Sequence, residues 1–154
     1  MDTDLQSLYQ RTVLEHCRSP RNFRAIEQAD RMAQGFNPLC GDKVTVYLRE
    51  SPGRESITLI ADISFEASGC AICLASASMM TELLAGGTSD LARRRAEQVL
   101  EAFKPEEENG LGDLGDIVAL GSVRAYPSRI RCVTLPWRTF AAALKGEAAT
   151  VSTE

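Results

Sequence analysis

The sequence predicts an α+β fold, a small antiparallel sheet of about three strands packed by helices. Two observations lead there. Apolar residues alternate with polar ones only between about residues 32 and 65, where two strands are joined by a short turn. Helical spacing occupies the chain on both sides of that stretch, and no alternating strand–helix–strand order points to a parallel sheet.

The elements follow in order. Leu5, Leu8, Tyr9, Val13 and Leu14 give a first helix from about Asp4 to Cys17, which "RSPRNF" ends because Pro20 cannot continue it. Met32 to Phe36 form a short first strand. In "FNPLCGDKVTVYL" a proline–asparagine turn leads into a second strand, with Val44, Val46 and Leu48 alternating with Thr45 and Tyr47 as far as Glu50. "SPG" turns the chain into a third strand, Ile57 to Phe65, with Ile57, Leu59, Ala61, Ile63 and Phe65 on one side. Ala71 to Leu84 is a helix dense in small residues, which allow close approach of its neighbours, and Gly86 and Gly87 end it. Ser89 caps a further helix to about Phe103, with Leu91, Val99, Leu100 and Phe103 inward. "KPEEENGLGDLGD" reads as an acidic, glycine-rich loop. A short helix near Ile117 to Gly121 and a final one from Thr134 to Leu144 follow, with Pro136 in the latter's first turn. One domain, 1–154, accounts for the chain, and 146–154 form a polar, frayed tail.

Composition narrows the function. With 44% hydrophobic and 25% charged residues the chain has an ordinary globular make-up. Its net charge of −4 counts against a nucleic-acid partner, which needs a basic stripe. Arg93, Arg94 and Arg95 sit beside Glu97 and Glu101 and read as a solvated helix face. No apolar stretch approaches the ~20 residues of a membrane span, so no membrane partner is expected. "MDTDLQSLYQ" lacks the apolar block of a secretion signal, which makes the expected location cytoplasmic.

The five cysteines are Cys17, Cys40, Cys70, Cys73 and Cys132, an odd number that argues against a disulfide framework in such a compartment. Cys17 reads as a small apolar residue late in the first helix. The sole histidine, His16, is either a ligand or a group compensating that helix's C-terminal dipole. Cys40 differs from Cys17: Gly41 frees the backbone beside it and Asp42 offers an oxygen two residues on. Cys70 stands at the mouth of a helix, where unpaired N–H groups favour a thiolate. Cys132 is expected just before the last helix, with Arg129 and Arg131 nearby to favour its thiolate. Cys70 and Cys73 also form "CAIC", a local redox-dithiol pattern, although Cys73 reads more simply as a packed thiol. Widely spaced single cysteines are not a zinc-finger pattern, and spacing alone leaves metal binding open.

Taken together, "LYQRTVLEHCRSPRNF", "NPLCGDKVTVYL", "SGCAICLASASMMTELLAG" and "LGDIVALGSVRAYPSRIRCVTLPW" resemble, over nearly the whole chain, the U-type iron–sulfur assembly proteins of the IscU/NifU-N group, and within it the SufU branch. Arg131 stands where the IscU branch has a histidine, and the segment before the third cysteine is long; both features resemble SufU. The resemblance implies a SufE/NifU-like fold and a zinc site of Cys40, Asp42, Cys70 and Cys132. It implies as partners a SufS-type pyridoxal-phosphate cysteine desulfurase and the downstream cluster assembly machinery. The activity implied is sulfur acceptance, with Cys40 as acceptor and Asp42 as an exchangeable ligand on a glycine hinge. The rival readings are a scaffold for a [2Fe–2S] cluster on the same residues and a purely structural zinc domain.

Overall fold

A strand that is apolar on one side lays that side on a core, and β2 (Asp42–Pro52) does so between β1 (Arg31–Asn37) and β3 (Thr58–Ser68). The computed structural model describes residues 2–104, 114–146 and 151–152, with side chains described over 10–104 and 114–146. The apolar residues expected at positions 5, 8 and 9, most of the acidic loop, and most of the tail fall outside the described side chains. β1 and β2 pair antiparallel from Arg31↔Leu48 to Asn37↔Asp42, so the connection carrying Cys40 is only four residues long. β2 and β3 also pair antiparallel, with the register shifting between Arg49 and Glu50.

That bulge overturns the expected facing of the third strand. Asp62 pairs with Arg49 but Ile60 pairs with Glu50, leaving Ala61 as the extra residue. Ile60, Ile63 and Phe65 therefore point into the core, while Ile57 and Ala61 are exposed. The hairpin turn is also longer than expected. Gly53 and Ile57 enclose a 3₁₀ turn, Arg54–Ser56, whose Glu55 and Ser56 adopt left-handed backbone angles. Two residues of the expected frayed tail, Val151–Ser152, form β4, pairing in parallel with β1 at Gly35 and Phe36. At the other edge, residues 22–24 run alongside β3: Arg24 N–H donates to the Phe65 carbonyl at 2.9 Å, and Phe65 N–H to that of Asn22 at 3.0 Å.

Helices α1 (Asp2–Arg18), α2 (Ala71–Leu84), α3 (Ser89–Ala102) and α4 (Pro127–Lys145) pack with the sheet, and a 3₁₀ segment, Gly115–Ala125, leads into α4. α3 is capped by Thr88 rather than Ser89, with the Thr88 hydroxyl accepting from Leu91 N–H at 3.0 Å. The short helix expected near Ile117 is the 3₁₀ segment instead. The largest correction concerns α4, which starts seven residues before the expected Thr134, with Pro127 in the first-turn position that suits proline.

Pro136 consequently sits in the interior of α4, where it has no N–H to return to the carbonyl of Cys132. The helix survives because α2 braces it on the next residue. Ser76 Oγ donates to the Val133 carbonyl at 2.6 Å and accepts from Trp137 Nε1 at 3.0 Å. Ala75, Ser76, Ala77 and Ser78 are all fully buried, as the density of small residues predicts for a helix approached closely on several sides. No helix among the described residues is long and apolar enough to cross a membrane.

Candidate metal centre

Asp42 is the first residue of β2 and fully buried, and a buried carboxylate requires partners. Its Oδ1 accepts from the backbone N–H of Cys70 at 2.7 Å, and its Oδ2 from Asn37 Nδ2 at 3.2 Å. The approach to Cys70 depends on Gly69, which has φ of +143° and lies so near that a Cβ would fall 2.2 Å from Asp42 Oδ1.

Cys70 is the N-cap of α2. Its Sγ accepts the Cys73 N–H at 3.5 Å and lies 3.7 Å from Asp42 Oδ2. Hydrogen bonding from Cys132, helped by the Cys73 N–H, draws the Cys70 thiol down to about 7 against burial and the neighbouring Asp42. The same pairing with Cys70 pushes the Cys132 thiol up, and burial adds to the effect.

Cys132 is fully buried inside α4, which corrects its expected place at a helix mouth. "SRIR" is itself helical, so no free N–H groups surround this sulfur. The side chain instead meets Asn37 Nδ2 at 3.6 Å and Cys40 Sγ at 3.4 Å. Cys40 is half-buried in the β1–β2 connection, followed by Gly41 in the left-handed region (φ +70°) with open space around it. Arg129 reaches this group from the first turn of α4, its exposed guanidinium Nη1 lying 3.9 Å from Cys40 Sγ. Pairing with Cys132, and the charges of Cys70 and Cys40, push that guanidinium up from its ordinary value.

The donor atoms of Cys40, Asp42 and Cys132 all lie within 4.8 Å of one another; Cys70 stands outside that trio and joins it through Asp42 Oδ2, 3.7 Å from its Sγ. Three sulfurs and one carboxylate oxygen suit a thiophilic tetrahedral ion. The two other cysteines stay out. Cys73 is buried in the core, where burial raises its thiol strongly. Cys17 is half-buried and donates to the Ala71 carbonyl at 3.1 Å, its thiol also raised by burial. His16 does not meet these ligands and does not serve the end of its own helix. It is buried, with Nδ1 2.7 Å from Ser78 Oγ and Nε2 2.8 Å from Asp116 Oδ2.

One contributor was missed. Asn37 is fully buried and its amide touches both Asp42 and Cys132, yet in "FNPLCGD" it reads only as a turn residue. The available signal was its position: five residues before an aspartate, it pairs directly across the β1–β2 ladder with Asp42.

Residues 8–133 match the NifU-like N terminal domain. The chain belongs to that family. Among its relatives is the zinc-dependent sulfurtransferase SufU of Bacillus subtilis, 31% identical over 137 residues that make up 89% of each chain. The iron–sulfur cluster assembly scaffold protein IscU of Thermotoga maritima is 28% identical over 144 residues, 90% of this chain and 93% of that one. Among solved structures, a putative iron–sulfur cluster assembly scaffold protein for the SUF system from Fervidobacterium islandicum superposes with a TM-score of 0.71 at 32% identity, covering 86% of this chain and 93% of its own. The N-terminal NifU-like protein of Brucella abortus superposes with a TM-score of 0.69 at 26% identity, covering 92% and 95%. The α+β fold expected from the sequence is the fold of this family.

Proposed function

We propose that the protein is a zinc-dependent sulfur acceptor in iron–sulfur cluster biogenesis, holding the ion with Cys40, Asp42, Cys70 and Cys132 and taking sulfur on Cys40. A SufS-type pyridoxal-phosphate cysteine desulfurase is the donor, and cluster assembly in the cytoplasm the destination. The observation that carries this reading is the unequal mounting of the four donors: Asp42, Cys70 and Cys132 are pinned, and Cys40 stands half-exposed before a left-handed glycine. The relatives named as a zinc-dependent sulfurtransferase and as cluster scaffolds support the same pair of chemistries.

Bound zinc keeps thiolates deprotonated without redox chemistry of its own. The residues of this chain supply the rest. Asn37 and the Cys70 N–H orient Asp42, and the short connection lets Cys40 turn outward on Gly41. The Cys40 thiolate attacks the outer sulfur of the donor's cysteine persulfide. An S–S bond forms on Cys40, the donor's S–S bond breaks, and the donor cysteine leaves as a thiolate, with no net oxidation. Arg129 beside Cys40 steadies the negative charge that the attacking group carries.

Mass spectrometry after incubation with desulfurase and free cysteine tests this reading. Added sulfur is expected on the peptide containing Cys40 and absent from the Cys40→Ser variant, which still binds the desulfurase. Persulfide confined to Cys132 overturns the assignment. Stoichiometric iron with visible charge-transfer bands in protein purified without added metal favours a [2Fe–2S] scaffold on the same donors.

A further inference from the structure

Opposite in chemistry to the sulfur-rich centre is a second cluster, built from α1, α2 and the 3₁₀ segment. His16 Nε2 lies 2.8 Å from Asp116 Oδ2 and 3.6 Å from Glu82 Oε1, and the three donor atoms fall within 4.8 Å of one another. We propose that His16, Glu82 and Asp116 form a separate divalent-cation site with nitrogen and oxygen ligands only, suited to Mn²⁺ or Fe²⁺.

Several features point this way. Donors bonded side by side to one such ion at about 2.1 Å stand about 3 Å apart, close to the 2.8 Å and 3.6 Å by which His16 Nε2 is separated from Asp116 and Glu82. His16 is 1% exposed and its ring is fixed from behind. Ser78, itself fully buried, holds Nδ1 through its hydroxyl and also accepts the Arg21 backbone N–H at 2.8 Å. A ring nitrogen tied to an outer partner while the other faces two carboxylates is how a ligating histidine is mounted. Without an ion, Nε2–H donates to Asp116; on binding, the ring proton moves to Nδ1, where the Ser78 hydroxyl accepts it, and Nε2 turns its lone pair to the metal.

Glu82 and Asp116 are 45% and 55% exposed, which leaves an open side where water completes six ligands. Arg21 does not close it. Its Nε lies 3.7 Å from Glu82 Oε2, the other carboxylate oxygen, and its guanidinium also pairs with Glu15. Lacking sulfur, the cluster favours a harder ion than the thiol centre does. An ion here ties together three elements around the sulfur-rich centre: α1, α2 with Cys70 at its N-cap, and the 3₁₀ segment leading to α4 and Cys132.

His16 is the sole histidine, so its ring protons can be followed without overlap, and zinc held in the thiols keeps Mn²⁺ from that centre. The protein, loaded with one equivalent of Zn²⁺, is titrated with Mn²⁺ and followed by proton NMR and by the electron paramagnetic resonance of free Mn²⁺. The expected result is disappearance of the histidine lines as one Mn²⁺ per chain leaves solution, with a rise in melting temperature. In Glu82→Gln/Asp116→Asn, whose changed side chains are half-exposed and need not disturb the core, the Mn²⁺ dissociation constant should rise at least about tenfold. Single Asp116→Asn, checked for native circular dichroism, gives the same answer should the double variant misfold. Histidine lines unmoved by millimolar Mn²⁺, or Mn²⁺ binding equal in wild type and variants, overturn the proposal and leave a hydrogen-bonded structural cluster.

Discussion

The two sides of the sulfur-rich centre are built differently. On one side, where the ends of β1 and β2 meet α2 and α4, Cys132 and Asp42 are fully buried, Asn37 joins them, and Ser76 clamps the helices together through Val133 and Trp137. On the other side, Cys40 sits in a four-residue connection before Gly41, next to an exposed arginine. A site that had only to stabilise the fold would gain from clamping every donor. Clamping all but one suits the role proposed for Cys40, a ligand that leaves and returns. Asp42, expected as the exchangeable ligand, is buried between the Cys70 N–H and the Asn37 amide, while Cys40 borders the open space at Gly41.

Five measurements break or sharpen that contrast. The largest effect should come from removing the metal. An ion present at about a thousand times its dissociation constant stabilises by about 4 kcal/mol. At roughly 2–4 °C for each kcal/mol in a chain of this size, chelation should lower the melting temperature on the order of 10 °C. No shift in calorimetry after chelation would remove the metal from both sides of the comparison.

Next is Asp42→Ala on the clamped side. It leaves the Cys70 N–H and the Asn37 amide without their carboxylate, a loss of about 1–3 kcal/mol, and should weaken zinc about 10–100-fold. The variant should fold but stimulate the desulfurase poorly, read as sulfide release; normal stimulation with normal zinc would make Asp42 an ordinary turn aspartate.

Ser76→Ala tests the clamp away from the metal. It strands Trp137 Nε1 in the core, for about 1–3 kcal/mol in urea unfolding, with sulfur acceptance per folded molecule unchanged. Gly41→Ala works on the loose side. Nothing crowds a Cβ there, so only the left-handed backbone is penalised, by about 1 kcal/mol, yet persulfide transfer should slow because the turn is biased away from its hinge conformation.

The smallest effect lies outside both halves. Tyr47 O–H donates to Glu66 Oε1 at 2.6 Å, and that bond, with burial, raises its phenol to about 12. The protonated form is the one the fold favours, so this stability is present below pH 10 and is lost as pH rises through about 12. Alkaline absorbance titration should show one tyrosine ionising late, and Glu66→Gln should bring it forward.

Sequence alone determined the helix–sheet–helix order, α2 to its terminal residues, and the four candidate donors. The element order and α2 rest on local chemistry, side-chain periodicity and glycine stops; the four donors rest on the family resemblance of motifs carried by residues close in the chain. Only tertiary structure decided the rest. The start of α4 was misplaced because Pro136 read as a first-turn residue, and its tolerance in mid-helix depends on Ser76, sixty residues away. The β3 bulge was hidden because an extra residue is visible only against the partner strand that skips it. Asn37 joined the site because a β ladder places it opposite Asp42, and His16 met Glu82 and Asp116 because three separate elements converge. Periodicity records which face of an element is apolar. It does not record which distant atom stands against that face, and the mounting of each donor depends on that atom.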